Sequence, residues 1–423
     1  MAERLAIPDF QLANRLYAGA TVTFYTVSGG AKTSTKATLY DAATGTGTVA
    51  NPVTLDGEGK FSTIPYVGEA VIGTVSGLSI ADHDTGIAEA LAVQSRNLLI
   101  NGDFRVAQRG TAFTSASTPA NNDDTYLLDR WILLSDGNDI VDVNQLTDGG
   151  LGDFAYLEAD VETTAKKFGF LQIIEQKDLQ GLLSGSGVVS LSFKAKVSDA
   201  TKLDNIKAAI LSWSGTADSP TSDIVSAWNA ADNDPTFATN WTAENTPADL
   251  EVTATEATYK IENITIDTAS VANIAVFIWS DAVADNDTAG TKLHITDVQL
   301  EEGPVASAFA RRPIAEESAL CERYYCEMAK SGSAWAVATT DIVASVLFPT
   351  SMRTAPTAAL LDTSPTFNDY NSAITGSSST LVSALSATPN GVQVRMDGFT
   401  GATVSKPGFW AQTASIWSFD AEL

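Results

Sequence analysis

The sequence predicts an all-β, multidomain protein, and three observations predict it. Small and β-friendly residues (Ala, Thr, Ser, Val and Gly) dominate the 423 residues. β-Branched and aromatic runs alternate with polar residues at a period of two, and clusters of Gly, Asp, Asn and Ser interrupt them at short intervals. A chain of this length exceeds one ordinary core and fits two or three domains. An apolar content of 44% is enough to pack them.

Residues 1–95 read as short strands. Thr21-Val22-Thr23-Phe24-Tyr25-Thr26-Val27 and Ala37-Thr38-Leu39-Tyr40 carry the strand signal. Turns are expected at Ser28-Gly29-Gly30, Asp41-Ala42-Ala43-Thr44-Gly45 and Asp56-Gly57-Glu58-Gly59. Asn51-Pro52-Val53-Thr54-Leu55-Asp56 leads into Lys60-Phe61 and Tyr66-Val67. Residues 79–95 read as a short helix or linker, and the first boundary falls near Ser95.

Residues 96–313 form the second unit. It opens on Asn97-Leu98-Leu99-Ile100-Asn101-Gly102-Asp103-Phe104-Arg105, an apolar strand before a Gly-Asp turn. It closes on Leu293-His294-Ile295-Thr296-Asp297-Val298-Gln299-Leu300-Glu301-Glu302-Gly303. Between them, residues 126–134 make a dense apolar strand, 188–197 alternate so that one face is buried and the other wet, and 272–279 add another strand. Residues 314–423 form the third unit. Pro313, the acids Glu316 and Glu317, and the lack of a breaker predict a connecting helix over 313–330. Leu320, Tyr324 and Tyr325 on it are available to pack against copies of themselves. β-Structure then resumes with strands at 342–348 and 392–396.

The net charge of −26 argues against nucleic acid, which needs clustered Lys and Arg. Most of the excess, −17, lies in 96–313, so cation binding is to be sought there. Cys321 and Cys326 would sit about 140° apart around a helix, which favours neither a disulfide nor a metal pair. His83 and His294 are lone residues without ligand spacing. Neither a signal peptide nor a membrane span is expected, because no stretch of about 18 apolar residues occurs.

The two ends of the middle unit resemble the first and last strands of the jelly-roll modules that bind carbohydrate in glycoside hydrolases, a pairing also found in bacteriophage tail fibres. Ala107-Gln108-Arg109-Gly110-Thr111, Leu128-Asp129-Arg130-Trp131, residues 348–356 and the closing Asp420-Ala421-Glu422-Leu423 resemble tail-fibre sequences as well. Residues 1–95 resemble the small β domain that attaches such fibres to the virion. The resemblance implies a central jelly-roll β-sandwich between two small β domains. It implies a non-enzymatic tail fibre or receptor-binding protein, a homotrimer that binds host-surface glycans. It would be assembled in the host cytoplasm and joined to phage tail or adaptor proteins through residues 1–95. The alternative is a structural virion component (neck, head or baseplate fibre, or adaptor) whose sandwich binds another virion protein.

Sugar binding by β-sandwich modules rests on aromatic faces stacked on pyranose rings, with amides and carboxylates taking the hydroxyls. Trp213, Trp228 and Trp241, near Phe237 and several Asn and Asp residues, would form a binding lip, with Trp279 contributing from a strand. The alternative is that each Trp caps the core or pins a loop. Trp131, inside an apolar run, is expected in the core. No cofactor is required. A structural calcium, which the resemblance allows, would use Asp103 and Asp297, but Arg105 stands where the family often has an acid, and its salt bridge to Asp297 would replace the metal. The paired acids Glu301-Glu302 and Glu316-Glu317 are expected to be solvated rather than catalytic.

Overall fold

The computed structural model describes residues 97–423, apart from 148–154, 186, 204, 231–232, 268, 282–288, 329–333, 370 and 411–413. Of the first 96 residues it describes 5–6, 21–28, 31–41, 47–56, 61, 66–67, 71–76 and 83–88. The chain is nearly all β and divides into two compact units: Met1–Arg96 with Ser184–Ser186, and Asn97–Leu183 with Gly187–Leu423.

In the first unit, Thr21–Ser28 pairs with Ala31–Lys36, Val53–Thr54 and Val71–Ser76. Val22, Phe24, Leu39, Val53, Leu55 and Phe61 make a small core. The Asn51 side chain accepts from Phe24 N at 3.0 Å and donates to the Phe24 and Ala37 carbonyls at 2.8 and 2.9 Å. The Asn-Pro-Val run therefore staples the central strand to its neighbour. Strand His83–Ala88, paired with Val71–Ser76, stands where a helix or linker was expected; pairing at a sheet edge outweighs local propensity there. The turn residues 29–30, 42–45 and 57–59, and residues 89–95, lie outside the described residues.

The second unit opens with the β-sandwich. Its strands are β1 (Ala112–Phe113), β2 (Thr125–Tyr126), β3 (Ile132–Ser135), β4 (Val141–Thr147), β5 (Ala155–Val161), β6 (Phe168–Ile174) and β7 (Val188–Val197). They continue with β8 (Ile206–Trp213), β9 (Val225–Ala227), β10 (Thr236–Phe237), β11 (Trp241–Ala243), β12 (Ala257–Thr265), β13 (Asn273–Ser280) and β14 (Lys292–Glu302). One six-stranded antiparallel sheet runs β1-β4-β5-β14-β7-β12, and the other runs β2-β3-β6-β13-β8-β11. Each receives strands from along the whole segment, the jelly-roll arrangement. Val189, Leu191, Phe193, Ala195 and Val197 on β7 face the core between the sheets together with Leu293, Ile295, Val298 and Leu300 on β14. The second sheet is buried on both faces, so β8 and β13 are buried at every position. That explains why their sequences run apolar instead of alternating.

Residues 126–134 are not one strand. Leu127–Trp131 is a tight turn in which Trp131 N donates to Leu128 O at 2.8 Å, and Arg130 takes a φ of +70°. Trp131 is in the core, 1% exposed. A short helix α1 (Gln180–Ser184) joins β6 to β7, and α2 (Ile314–Glu322) follows β14. α2 is shorter than the helix expected over 313–330, because the chain turns at Arg323 into β15 (Tyr325–Met328). Cys321 is thus on a helix and Cys326 on a strand, both buried and free.

The chain then adds β16 (Ala334–Ala336), β17 (Ile342–Leu347), β18 (Thr357–Leu360), β19 (Thr366–Asn368), β20 (Ala373–Thr375), β21 (Leu381–Thr388), β22 (Gly391–Met396), β23 (Pro407–Trp410) and β24 (Trp417–Asp420). β15, β24 and β18 form one small sheet, and β20-β19-β23-β16-β17-β22-β21 form the other. Phe367, Met396, Phe399, Trp410, Trp417 and Phe419 pack between them.

Candidate functional site

The expected tryptophan lip is mostly a second core. Trp213, Trp241 and Trp279 are 7%, 5% and 0% exposed, and only Trp228 is half-buried. Phe277 and Trp279 lie two apart on β13 and therefore share a face. Their rings stack at 5.1 Å, and Trp228 lies over Phe277 at 6.1 Å. Trp213 and Trp241 meet at 5.3 Å, and their indole N–H groups donate to the Thr216 and Thr221 carbonyls at 2.9 and 3.1 Å. Residues 214–230 and 233–240 of the polar-looking segment fold back over the outer face of the second sheet. The large indole area goes into that contact and presents no platform to a ligand.

Asp103 and Asp297 do come together, but with cations between them. Arg105 Nε donates to Asp103 at 2.5 Å, Arg311 reaches Asp103 at 3.6 Å and Asp297 at 3.3 Å, and Lys194 reaches Asp297 at 2.8 Å. Calcium takes six to eight oxygen ligands. Two carboxylates already facing three cations do not fit it, and no metal-binding group of three His, Cys, Asp or Glu occurs among the described residues. The expected bridge from Arg105 to Asp297 is replaced by one through Arg311. Asp297 reaches this position through a bulge: Ser192 pairs with Gln299 and Lys194 with Thr296, so Asp297, at φ +50°, is extra and its side chain is re-aimed. Gly102 seats against the same bulge. A Cβ there would lie 2.1 Å from Val298 O, so the Gly-Asp turn needs its glycine.

These residues border a groove of about 530 Å³ on the outer face of the first sheet. Ser192 and Lys194 on β7, Thr258 and Lys260 on β12, and Asp297 on β14 supply one side. The strap after β14 supplies the other with Ala306, Ser307, Ala308, Phe309 and Arg311. A buried acid, a buried amide and a lysine hold the strap down. Glu301, 2% exposed, accepts from Ser307 N at 2.6 Å and Ser307 Oγ at 2.8 Å. Gln299 accepts from Ala310 N at 2.8 Å, and Lys260 donates to Ala306 O at 2.8 Å. The expectation that Glu301 and Glu317 are solvated is therefore corrected. Glu317 accepts from Asn101 N at 2.5 Å and pairs with Arg312 at 3.1 Å. In sequence, Gly303-Pro304-Val305-Ala306-Ser307-Ala308-Phe309 resembles the exit of such modules, but nothing in it marks a groove; the further signal was the polarity of Gln299 and Glu301 beside the core residues Val298 and Leu300.

The runs at 107–111, 128–131 and 420–423 converge elsewhere, where the sandwich meets the C-terminal sheets. Asp129 accepts from Gln108 N and Nε2, both at 2.6 Å. Arg130 pairs with Glu422 and donates to Ile173 O at 2.6 Å, with its guanidinium 3.6 Å over the Tyr324 ring. Arg109 lies 3.6 Å over Tyr325 and reaches Glu422 at 3.3 Å. Tyr324 donates to Glu175 at 2.9 Å, and Arg323 pairs with the same carboxylate. Tyr324 and Tyr325 are thus consumed within the chain rather than offered to a copy of it.

No family model and no curated protein matches the chain. Among solved structures it is similar to carbohydrate-binding modules of the β-sandwich superfamily, at 10% identity over 71% of this chain and 98% of that one, TM-score 0.32. It is similar to the CBM22-1 xylan-binding domain from Paenibacillus barcinonensis, at 10% identity over 44% and 94%, TM-score 0.24. It is also similar to the enzymatically active domain of tailspike protein 4 of bacteriophage CBA120, at 13% identity and TM-score 0.28. That match takes in 49% of this chain and spans 23% of the tailspike chain.

Proposed function

We propose that this protein is a non-enzymatic phage tail fibre or receptor-binding protein that attaches the virion to host-surface glycans, with the groove beside the strap as its saccharide site. The observation that carries the reading is the groove itself. Its volume of about 530 Å³ is in the range of a small-ligand pocket, and hydroxyl, ammonium, guanidinium and carboxylate groups line it around the half-buried Phe309. The sequence resemblance of the sandwich's end strands to carbohydrate-binding jelly rolls supports it. Residues 1–95 would join tail or adaptor proteins, and a homotrimer would multiply weak single-site binding into avidity. A second reading, a structural virion fibre or adaptor, is favoured by the burial of Trp213, Trp241 and Trp279.

Binding of the purified protein to host cells and to a glycan array tests both. Lys260→Ala with Phe309→Ala should abolish binding at an unchanged melting temperature, while Trp228→Ala leaves it in place. An intact, folded protein that binds neither cells nor glycans overturns the adhesin reading and leaves the structural one.

A further inference from the structure

The charge of the groove points to its ligand class. Resting on the reading of this groove as the saccharide site, we infer that it selects anionic saccharides, those carrying carboxylate, sulfate or phosphate groups. The molecule carries −26 overall, yet Lys194, Lys260 and Arg311 line the groove against one lining carboxylate, Asp297. The other acids touching these cations do not reverse that balance. Asp103 is buried at 1% exposure and is matched by Arg105, while Glu262, 3.5 Å from Lys260, accepts from Ala306 N at 2.9 Å and the buried Glu301 accepts from Ser307, so both stand outside the lining and the cations are what the groove presents. A site for neutral sugar would be expected to present aromatic faces and side-chain amides. This groove lacks lining Trp, Tyr, Asn and Gln, and of its two aromatic residues Phe193 is 1% exposed, leaving Phe309. Ammonium and guanidinium groups are the donors that favour charged acceptors.

The Lys194 and Lys260 side chains are 37% and 44% exposed, so each keeps access to solvent while anchored at one end, Lys194 by Asp297 and Lys260 by Ala306 O. Asp297 pairs with Lys194 from the sheet side of the groove and with Arg311 from the strap. Within an acidic protein, such a patch also discriminates. The net negative charge disfavours an anionic polymer elsewhere relative to the groove.

The test is an array of matched saccharides: neutral, uronic-acid-containing, sulfated and phosphorylated. A bound uronic-acid member is compared with its carboxyl-reduced twin by calorimetry at low and moderate salt. The expected result is binding confined to anionic members, at least a tenfold loss on carboxyl reduction, and weakening with added salt. Which anionic members bind identifies the acid. Lys194→Gln/Lys260→Gln, a surface double substitution with melting temperature as control, should remove the preference for the acid. Equal binding of the acidic and reduced twins, or binding only of neutral members, overturns the inference while leaving the glycan site intact. Binding of no member overturns the glycan reading as well.

Discussion

Arg130 is 2% exposed and shares the Glu422 carboxylate with Arg109. Removing one partner of a buried pair strands the other charge, so Arg130→Met should destabilise the protein by about 3–5 kcal/mol. Glu422→Gln leaves both Arg130 and Arg109 without that carboxylate and should cost at least as much, and the double variant should cost less than the sum, in chemical denaturation of all four forms. Additive costs would mean the two groups do not act as a pair. The indoles make a parallel case. Trp279→Ala should cost about 3–5 kcal/mol, whereas half-buried Trp228→Ala should cost a fraction of that. Similar small losses at both would return Trp279 to the surface and revive the lip. The role of Arg130 was not legible in sequence, and for the tryptophans the lip and the core remained open alternatives. Leu128-Asp129-Arg130-Trp131 reads as strand because hydropathy registers neighbours and not φ, and a Trp among Asn and Asp residues looks the same whether its loop stands open or folds back.

At the scale of elements, legibility tracks how local the determining forces are. The alternation of β7 and the apolar runs of β8 and β13 announce themselves because burial on one or both faces writes directly into residue order. The end of α2 does not, since what stops it is the pairing of Tyr325–Met328 with Trp417–Asp420, over ninety residues away. The strap is similar. Its position depends on Glu301 accepting from Ser307, and Glu301→Gln removes the charge from those hydrogen bonds while nearly preserving shape. Under the proposed reading of the groove, saccharide affinity should fall roughly tenfold, with β-sheet content unchanged by circular dichroism. Full affinity in that variant would show that the groove does not need the strap held. The groove was invisible to a sequence reading because its residues come from β7, β12, β14 and the strap, which only strand order, the strap's hydrogen bonds and the bulge at Asp297 bring to one place.

At the scale of the whole second unit, a half-buried histidine and a buried carboxylate give acid sensitivity in different places. Burial lowers the His294 proton affinity, and Glu158, 2.9 Å away, only partly opposes it. The folded chain therefore binds that proton more weakly than the unfolded chain does. The stability this contributes is complete above the ordinary value of 6.5 and falls as pH drops through and below it. For Glu175, burial would raise the carboxyl, but hydrogen bonds from Lys177, Arg323 and Tyr324 outweigh it and hold the group below its ordinary 4.5. Its contribution is complete above 4.5 and is lost as pH falls through the lower folded value. The first loss belongs to the outer face of the sandwich and the second to its junction with the C-terminal sheets. Calorimetric scans of residues 97–423 should show one transition at pH 7, a lowered one near pH 5.5, and separation of the two cores only in stronger acid. His294→Gln should remove the first step and spare the second. Glu175→Gln should weaken the junction already at pH 7 and remove the second step, because the remaining amide cannot pair with Arg323 as a charge. Were the cores to separate at neutral pH in the unaltered protein, the charged junction would not be what couples them, and the convergence of Arg109, Arg130 and Glu422 would have to serve a contact outside the chain.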